Sequence, residues 1–497
     1  MNYSLMNRRK EMYVKPKDLV VFLISEIIGI LFILFNTVPS NAILAVLPVV
    51  YGFGYVLFYT QSRRMVQTKT ALIFHICEFL RMVVLVLVTL ISGQYGFKAF
   101  RTNDANLLTT ASLLMCYEYL IGSVVIYLYS ARHKKDIQTE PEKVALSNGE
   151  SFGIFLIVLL AIALFIALPE VRRQIHFLRL DAEDEKVRAT TTGSTSSAMV
   201  LLLNFVHYAF LCIFVFVASW MYKIYNRKEN ATYYYVVLLA GLITIATIFG
   251  ESRAALVYTT FAVFSCMVLL FPKFKKRTGN WLLLSMVLIF AGMTVYRLFF
   301  VYRYGSYADA ILAGPAVGDN YYADFMESYL LGPQSVAAGI HLAQTQASRF
   351  TFPRLLVDLL RPFMGFNLLL KNTNTEMSTV LYNSMLSGVG GRSNGSFLQI
   401  TAQGYCYFGF FLAPIFLVAF LLLAFWLEKR IAKSKSLFSF FFLNYMLIRI
   451  ATAVLGGTMS GFITMASMLL YIMGFFWVIQ KIFKDGTENT IRKAVKE

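Results

Sequence analysis

A chain of 497 residues with 58% hydrophobic and only 14% charged positions carries too much apolar surface for a water-soluble domain. Its formal charge of +18 does not mark a nucleic-acid binder, because the excess sits in short loops between apolar runs, where it orients a protein in a membrane. The cysteines (Cys77, Cys116, Cys212, Cys266, Cys406) are scattered through those runs without a CxxC pair, which reads as packing and not as a disulfide frame or zinc site.

The basic start Arg8-Arg9-Lys10 leads into a full-length span, so no cleaved signal peptide is expected. Runs near the roughly 20 residues that cross a bilayer as a helix recur at 19–38, 42–61, 70–93, 107–130, 152–169, 198–222, 231–250, 254–271, 281–301, 397–427, 437–455 and 462–479. They predict an all-α polytopic membrane protein of about twelve transmembrane helices. The run 397–427 exceeds what a span needs and is expected to tilt or break. Lysine and arginine concentrate in alternate loops, at Arg63, Arg64 and Lys69, in 131–150, at Lys223, Arg227 and Lys228, at Lys273 to Arg277, and at Lys429 and Arg430. That asymmetry places both termini in the cytoplasm of a multi-pass protein and the long segment 302–396 on the outer face. The chain thus divides into spans over 1–301, an extracytoplasmic helical loop domain over 302–396, and further spans with a tail over 397–497.

The outer segment is too long for an idle connection. Residues 320–346 read as one helix or a bent pair, with Gly332-Pro333 as the break. Residues 352–370 are amphipathic: Arg354, Asp358 and Arg361 fall at i, i+4 and i+7, opposite Leu355, Leu356, Leu359, Leu360 and Phe363. Such a helix is expected to lie flat at the outer interface as a cover over the spans, or else to pack within a small external domain.

Several arginines fall at one depth. Arg253 stands at the outer end of the seventh run, within Gly250-Glu251-Ser252-Arg253. Arg297 lies about one turn inside the outer end of the ninth, Arg449 one to two turns inside the eleventh, and Arg303 just outside the ninth. A guanidinium stays charged and offers a planar fork of donors that fits phosphate oxygens, so a group of them suits a diphosphate. The structural alternatives are an ion pair, such as Glu251 with Arg253, or snorkelling to the headgroups. Deeper in the chain, His75, Glu78 and Arg81 fall at i, i+3 and i+6, with Glu118 and Glu26 on neighbouring spans. This set reads as a proton path or, better, as a buried ion pair joining the first, third and fourth spans. His341 could take a proton from a sugar hydroxyl, with Asp324, Glu327 and Glu251 as other candidate bases. No HExxH, P-loop or DxD motif occurs, so the expected chemistry needs neither metal nor cofactor.

Gly250-Glu251-Ser252-Arg253-Ala254-Ala255-Leu256 resembles the Gly-x-Ser-Arg-Gly/Ala-x-Leu turn of bacterial O-antigen and capsular polysaccharide repeat-unit polymerases of the Wzy type. Tyr329-Leu330-Leu331-Gly332-Pro333 resembles their outer-loop Tyr-x-x-Gly-Pro pattern, and SFLQITAQGYCYFG over 396–409 resembles the segment before a late span. Gln403 stands where many members carry an acid, and Tyr407 where Asn or Asp is common. The resemblance implies a GT-C-like transferase in the bacterial inner membrane, with its active site facing outward. It would pass a growing glycan from its polyprenyl diphosphate (undecaprenyl diphosphate) carrier to the sugar of a new lipid-linked repeat. Arg253, Arg297, Arg303 and Arg449 would hold the diphosphate, and one general base would activate the acceptor hydroxyl. Implied partners are the lipid-linked oligosaccharide, membrane lipid, and the chain-length regulator and flippase of the same pathway. A lipid-linked oligosaccharide flippase or transporter and an O-antigen-type ligase are the alternatives.

Overall fold

The computed structural model describes residues 16–92, 100, 102, 104–133, 141, 144–168, 197–246, 253–302, 326–327, 329–363, 365–370, 375–388, 397–456 and 459–494. In chain order the principal helices are α1 (Pro16–Phe35), α2 (Pro39–Met65), α3 (Lys69–Ser92), α4 (Ala105–Arg132), α5 (Asn148–Ala167), α6 (Ser197–Lys228), α7 (Thr232–Ala246), α8 (Arg253–Leu270) and α9 (Lys275–Tyr302). They continue with α10 (Pro333–Thr345), α11 (Phe352–Leu360), α12 (Ser378–Gly388), α13 (Ile400–Leu412), α14 (Ile415–Ala432), α15 (Leu437–Ala451) and α16 (Met459–Ala494).

Among the described residues, seven helices are long and apolar enough to cross a bilayer, or up to nine spans when two bent helix pairs are each taken as one. The helices α7 and α15 are apolar but only 15 residues long, about 22 Å against a hydrocarbon core of about 30 Å. Large apolar side chains face outward: Ile27, Ile30, Ile33 and Leu34 on α1, and Phe155, Leu159, Ile162 and Ile166 on α5. A surface of this kind requires lipid, and the chain is a membrane-embedded helical protein.

The chain forms two compact units, each discontinuous in sequence. The first comprises Met1–Thr139, Gly318–Lys429 and Arg449–Ile463. Here α2 and α3 each contain a π-helical turn, at Tyr55–Tyr59 and Leu80–Val84. Such a turn holds one extra residue, widens the helix and re-aims its side chains. The carboxylate of Glu428 on α14 caps the start of α3, accepting from Lys69 N at 2.6 Å, Thr70 N at 3.2 Å and Thr70 Oγ1 at 2.8 Å. Near the same end, Asp18 of α1 pairs with Arg63 of α2 and accepts from Tyr55 OH at 3.2 Å. The long run at 397–427 breaks, as its length implied: α13 and α14 meet at 106°. Gly409 takes φ +72° within α13, a conformation that L side chains rarely adopt. A Cβ at Gly404 would sit 2.0 Å from the Ala413 carbonyl oxygen, so only glycine lets the chain fold back this tightly.

The second unit comprises Glu140–Val317, Arg430–Ile448 and Thr464–Glu497. Ser147 and Glu150 form a reciprocal capping box at the start of α5. Ser436 donates to Glu150 and so ties the approach to α15 to that cap. Tyr234 stacks on Phe274 at 4.3 Å between ring centroids, and Phe438 meets Phe476 at 3.8 Å. Helices α8 and α9 form the second bent pair, at 120°, across the basic corner that contains Lys273.

Candidate functional site

The segment at 396–409 gives the first unit its polar spine. Gln399, Gln403 and Tyr407 recur every fourth residue, which puts them on one stripe of α13 about 6 Å apart along its axis. Gln399 caps the helix, accepting from Ala402 N at 2.8 Å, while its Nε2 donates to Glu118 Oε1 of α4 at 3.0 Å. Gln403 Nε2 donates to Ser378 Oγ at 2.9 Å and to Asp358 Oδ2 at 3.1 Å. Tyr407 OH donates to the same Asp358 oxygen at 2.7 Å. The stripe therefore joins two polar clusters, one centred on Arg81 and one on Asp358.

Arg81 lies in the π-helical turn of α3 and is completely buried. Its Nη1 donates to Glu78 Oε1 at 3.1 Å and to Glu118 Oε1 at 3.2 Å. Its Nε and Nη2 both donate to the Leu331 carbonyl oxygen, at 3.3 and 3.1 Å. The turn 329–333 is built for that contact. Leu331 adopts φ +47°, a left-handed conformation costing a non-glycine residue about 1 kcal/mol. A Cβ at Gly332 would lie 2.2 Å from Leu85 Cδ2 and 2.5 Å from Glu327 Oε2, so the close approach to α3 demands glycine. Pro333 starts α10, where its missing N–H costs nothing. Glu327 Oε1 accepts from Ser335 N at 2.7 Å, capping the same helix. Helix α10 then packs against α4 and α13.

The predicted ion pair of Glu78, Arg81 and Glu118 is thus present, and it joins α3 and α4 to the turn at 329–333 and to α13. His75 is separate from it. On a 3.6-residue helix, positions six apart diverge by about 120°, and His75 packs among Tyr55, Tyr59 and Tyr119, with Nδ1 3.4 Å from Tyr119 OH. Glu26 on α1 is half-buried, and its Oε1 makes no hydrogen bond among the described residues.

The Asp358 cluster is built around α11 and the start of α12. Helix α11 presents its polar face inward and its apolar face outward: Asp358 is 1% exposed and Phe352 69% exposed. Ser378 N donates to Asp358 Oδ1 at 2.8 Å, so both carboxylate oxygens are engaged. Arg354 donates from Nε to the Glu376 carbonyl at 2.8 Å and from Nη1 to the Arg349 carbonyl. Arg361 Nη1 reaches the Thr375 carbonyl at 3.3 Å. The helix expected over 352–370 stops at Leu360; the chain turns through Gly365 at φ +95° and adds a short helix at Phe366–Leu369. Tyr407 remains half-buried, with its ring edge-on to Phe350 at 5.3 Å. Tyr382 of α12 is fully buried, and burial pushes its hydroxyl pKa up.

The other predicted residues fall as follows. His341, two turns into α10, is half-buried beside Phe100, ring centroids 5.4 Å apart. Glu327 is 1% exposed and serves as the cap just described. Arg449 is half-buried near the end of α15 and donates from Nη2 to the Gly461 carbonyl at 3.1 Å. Arg253 begins α8 and Arg297 lies within α9, but their side chains are outside the described residues, as are Glu251, Arg303 and Asp324. Asp358 was read from sequence only as part of a polar helix face. The signal that could have singled it out is the pair of departures at Gln403 and Tyr407, both of which turn to it. Compared with protein-family models, curated proteins and solved structures, the chain matches none.

Proposed function

We propose that this protein is a membrane glycosyltransferase of GT-C-like architecture that joins polyprenyl-diphosphate-linked oligosaccharide repeats into a surface polysaccharide. It would work on the outer face of a bacterial cytoplasmic membrane, with both termini inside. The observation that carries the reading is a convergence. Two of the stretches that resemble repeat-unit polymerases, 329–333 and 396–409, meet the same Arg81–Glu118 pair, through Leu331 and Gln399. Chance likeness gives no reason for them to share a partner.

Both substrates of such a reaction are lipids, which suits a site reached from the bilayer. The leaving diphosphate is stable in water, and arginines stabilise its developing charge without a metal. Arg253, Arg297 and Arg303 are assigned to that role, with Arg449 as a further contributor. One group must take the acceptor proton; His341, Glu251 and Asp324 are the candidates carried from the sequence, while Glu327 is occupied by the α10 cap.

The test is purified protein, in detergent or liposomes, with a single lipid-linked repeat and no other component. A ladder of evenly spaced products supports a polymerase, and loss of the ladder in Arg253→Ala and Arg297→Ala supports the diphosphate assignment. A band extended only when a second acceptor is added means a ligase. An unchanged band with the lipid moved between leaflets means a flippase.

A further inference from the structure

The Asp358 cluster differs from an ordinary helix-packing contact in one respect. A wholly buried carboxylate receives the hydroxyl proton of a tyrosine that is itself half-open. Ser378 N and Gln403 Nε2 fix the carboxylate from the other directions. Tyr407 OH donates to Asp358, and Ser378 also hydrogen-bonds that hydroxyl, which leaves the phenolic oxygen one lone pair to accept a further hydrogen bond. The setting of Tyr407 suits a sugar: Phe350 packs edge-on to its ring, Arg349 next in the chain is exposed, and Arg354 lies close enough to act on the phenol electrostatically. Arg354 also offsets the charge of Asp358 four residues along the same helix.

We propose that Tyr407, backed by Asp358, is the group that takes the proton from the acceptor sugar hydroxyl. The inference rests on the polymerase reading and replaces its weakest part, the choice among His341, Glu251 and Asp324. The step balances as follows. The acceptor hydroxyl oxygen forms a bond to the anomeric carbon of the donor glycan. Its proton passes to the phenolic oxygen of Tyr407 as the phenol's own proton passes to Asp358 Oδ2. The bond from the anomeric carbon to the carrier breaks, and the diphosphate leaves with the electron pair. Asp358 then returns the proton to the phenol, and the phenol releases one to water or to the departing diphosphate. Tyr407 is the proton acceptor; Asp358, which meets the substrate only through it, is a positioning residue.

Purified native protein, Tyr407→Phe and Asp358→Asn are assayed with the lipid-linked repeat for product ladders, with kcat and KM measured separately and the thermal midpoint of each variant recorded. Tyr407→Phe keeps the ring against Phe350 and leaves Asp358 its other donors. The expected result is a fall in kcat of about 100-fold or more, with KM within about threefold and the thermal midpoint unchanged. Asp358→Asn lowers kcat comparably, and the solvent deuterium isotope effect on native kcat disappears in Tyr407→Phe. A Tyr407→Phe protein that makes the native ladder at the native rate overturns the proposal while leaving the polymerase reading intact. So does a loss of rate that only follows a loss of folded protein. If native protein makes no ladder, the polymerase reading fails and the proton role fails with it.

Discussion

The two clusters on the α13 stripe use similar residue types to different ends. Around Arg81 the charges are sealed: Arg81, Glu78 and Glu118 are all fully buried, and the guanidinium spends its donors on carboxylates and on one carbonyl. Around Asp358 the carboxylate is equally buried, yet its donors include the hydroxyl of a tyrosine that is itself half-buried. A buried ion pair is a weak source of stability but a strong constraint, because losing one member leaves a bare charge. A buried acid behind an accessible hydroxyl is instead suited to moving a proton. The first cluster fixes the turn at 329–333 against α3; the second ties α11 and α12 to α13.

This contrast is easiest to break at Arg81. Arg81→Met leaves two carboxylates buried without a cation and is expected to cost about 4 kcal/mol, read as loss of monodisperse protein in detergent and a large drop in thermal midpoint. Should Arg81→Met fold as well as native protein, the sealed cluster is not a constraint. Asp358→Ala comes next. It strands donors from Ser378, Gln403 and Tyr407, for about 3 kcal/mol, and limited proteolysis should then cut between α11 and α12 first. Gly332→Ala pushes a methyl into Leu85 and the Glu327 carboxylate; about 2 kcal/mol of overpacking should appear as faster hydrogen exchange in α10. Gln399→Ala removes the α13 cap and a donor to Glu118, worth about 1 kcal/mol, visible as a small shift in midpoint. Last, His341→Ala loses a ring contact with Phe100 worth about 0.5 kcal/mol. If that variant abolishes the product ladder while staying folded, the proton role belongs to His341 and not to Tyr407.

Much of the framework was legible in the sequence because lipid imposes a simple rule: long apolar runs must be helices. The Glu78, Arg81 and Glu118 association was legible too, since charges that deep have few ways to be accommodated. His75 does not belong with Glu78 and Arg81 because the spacing of six between it and Arg81 turns about a third of the way round the helix. The inward polar face of α11 was visible as a pattern but not as a direction. In water the polar face of an amphipathic helix points out, whereas beside lipid the sense reverses, and composition alone does not say which solvent applies. The meeting of Asp358 with Tyr407 had no local signature, because 49 residues and a turn of the chain separate them.

The reach from Arg81 to Leu331 also sets a timetable for the nascent chain. The two residues are 250 positions apart, and at a synthesis rate of about 5–20 residues per second the gap corresponds to about 12–50 s. For most of that interval α3 and α4 are already made while the carbonyl that completes their arginine does not yet exist. Glu78, one turn away on the same helix, is available from the outset, and Glu118, on the next, follows 37 positions later. The paired acids are therefore the groups that can neutralise the guanidinium before the turn that docks on it has been made.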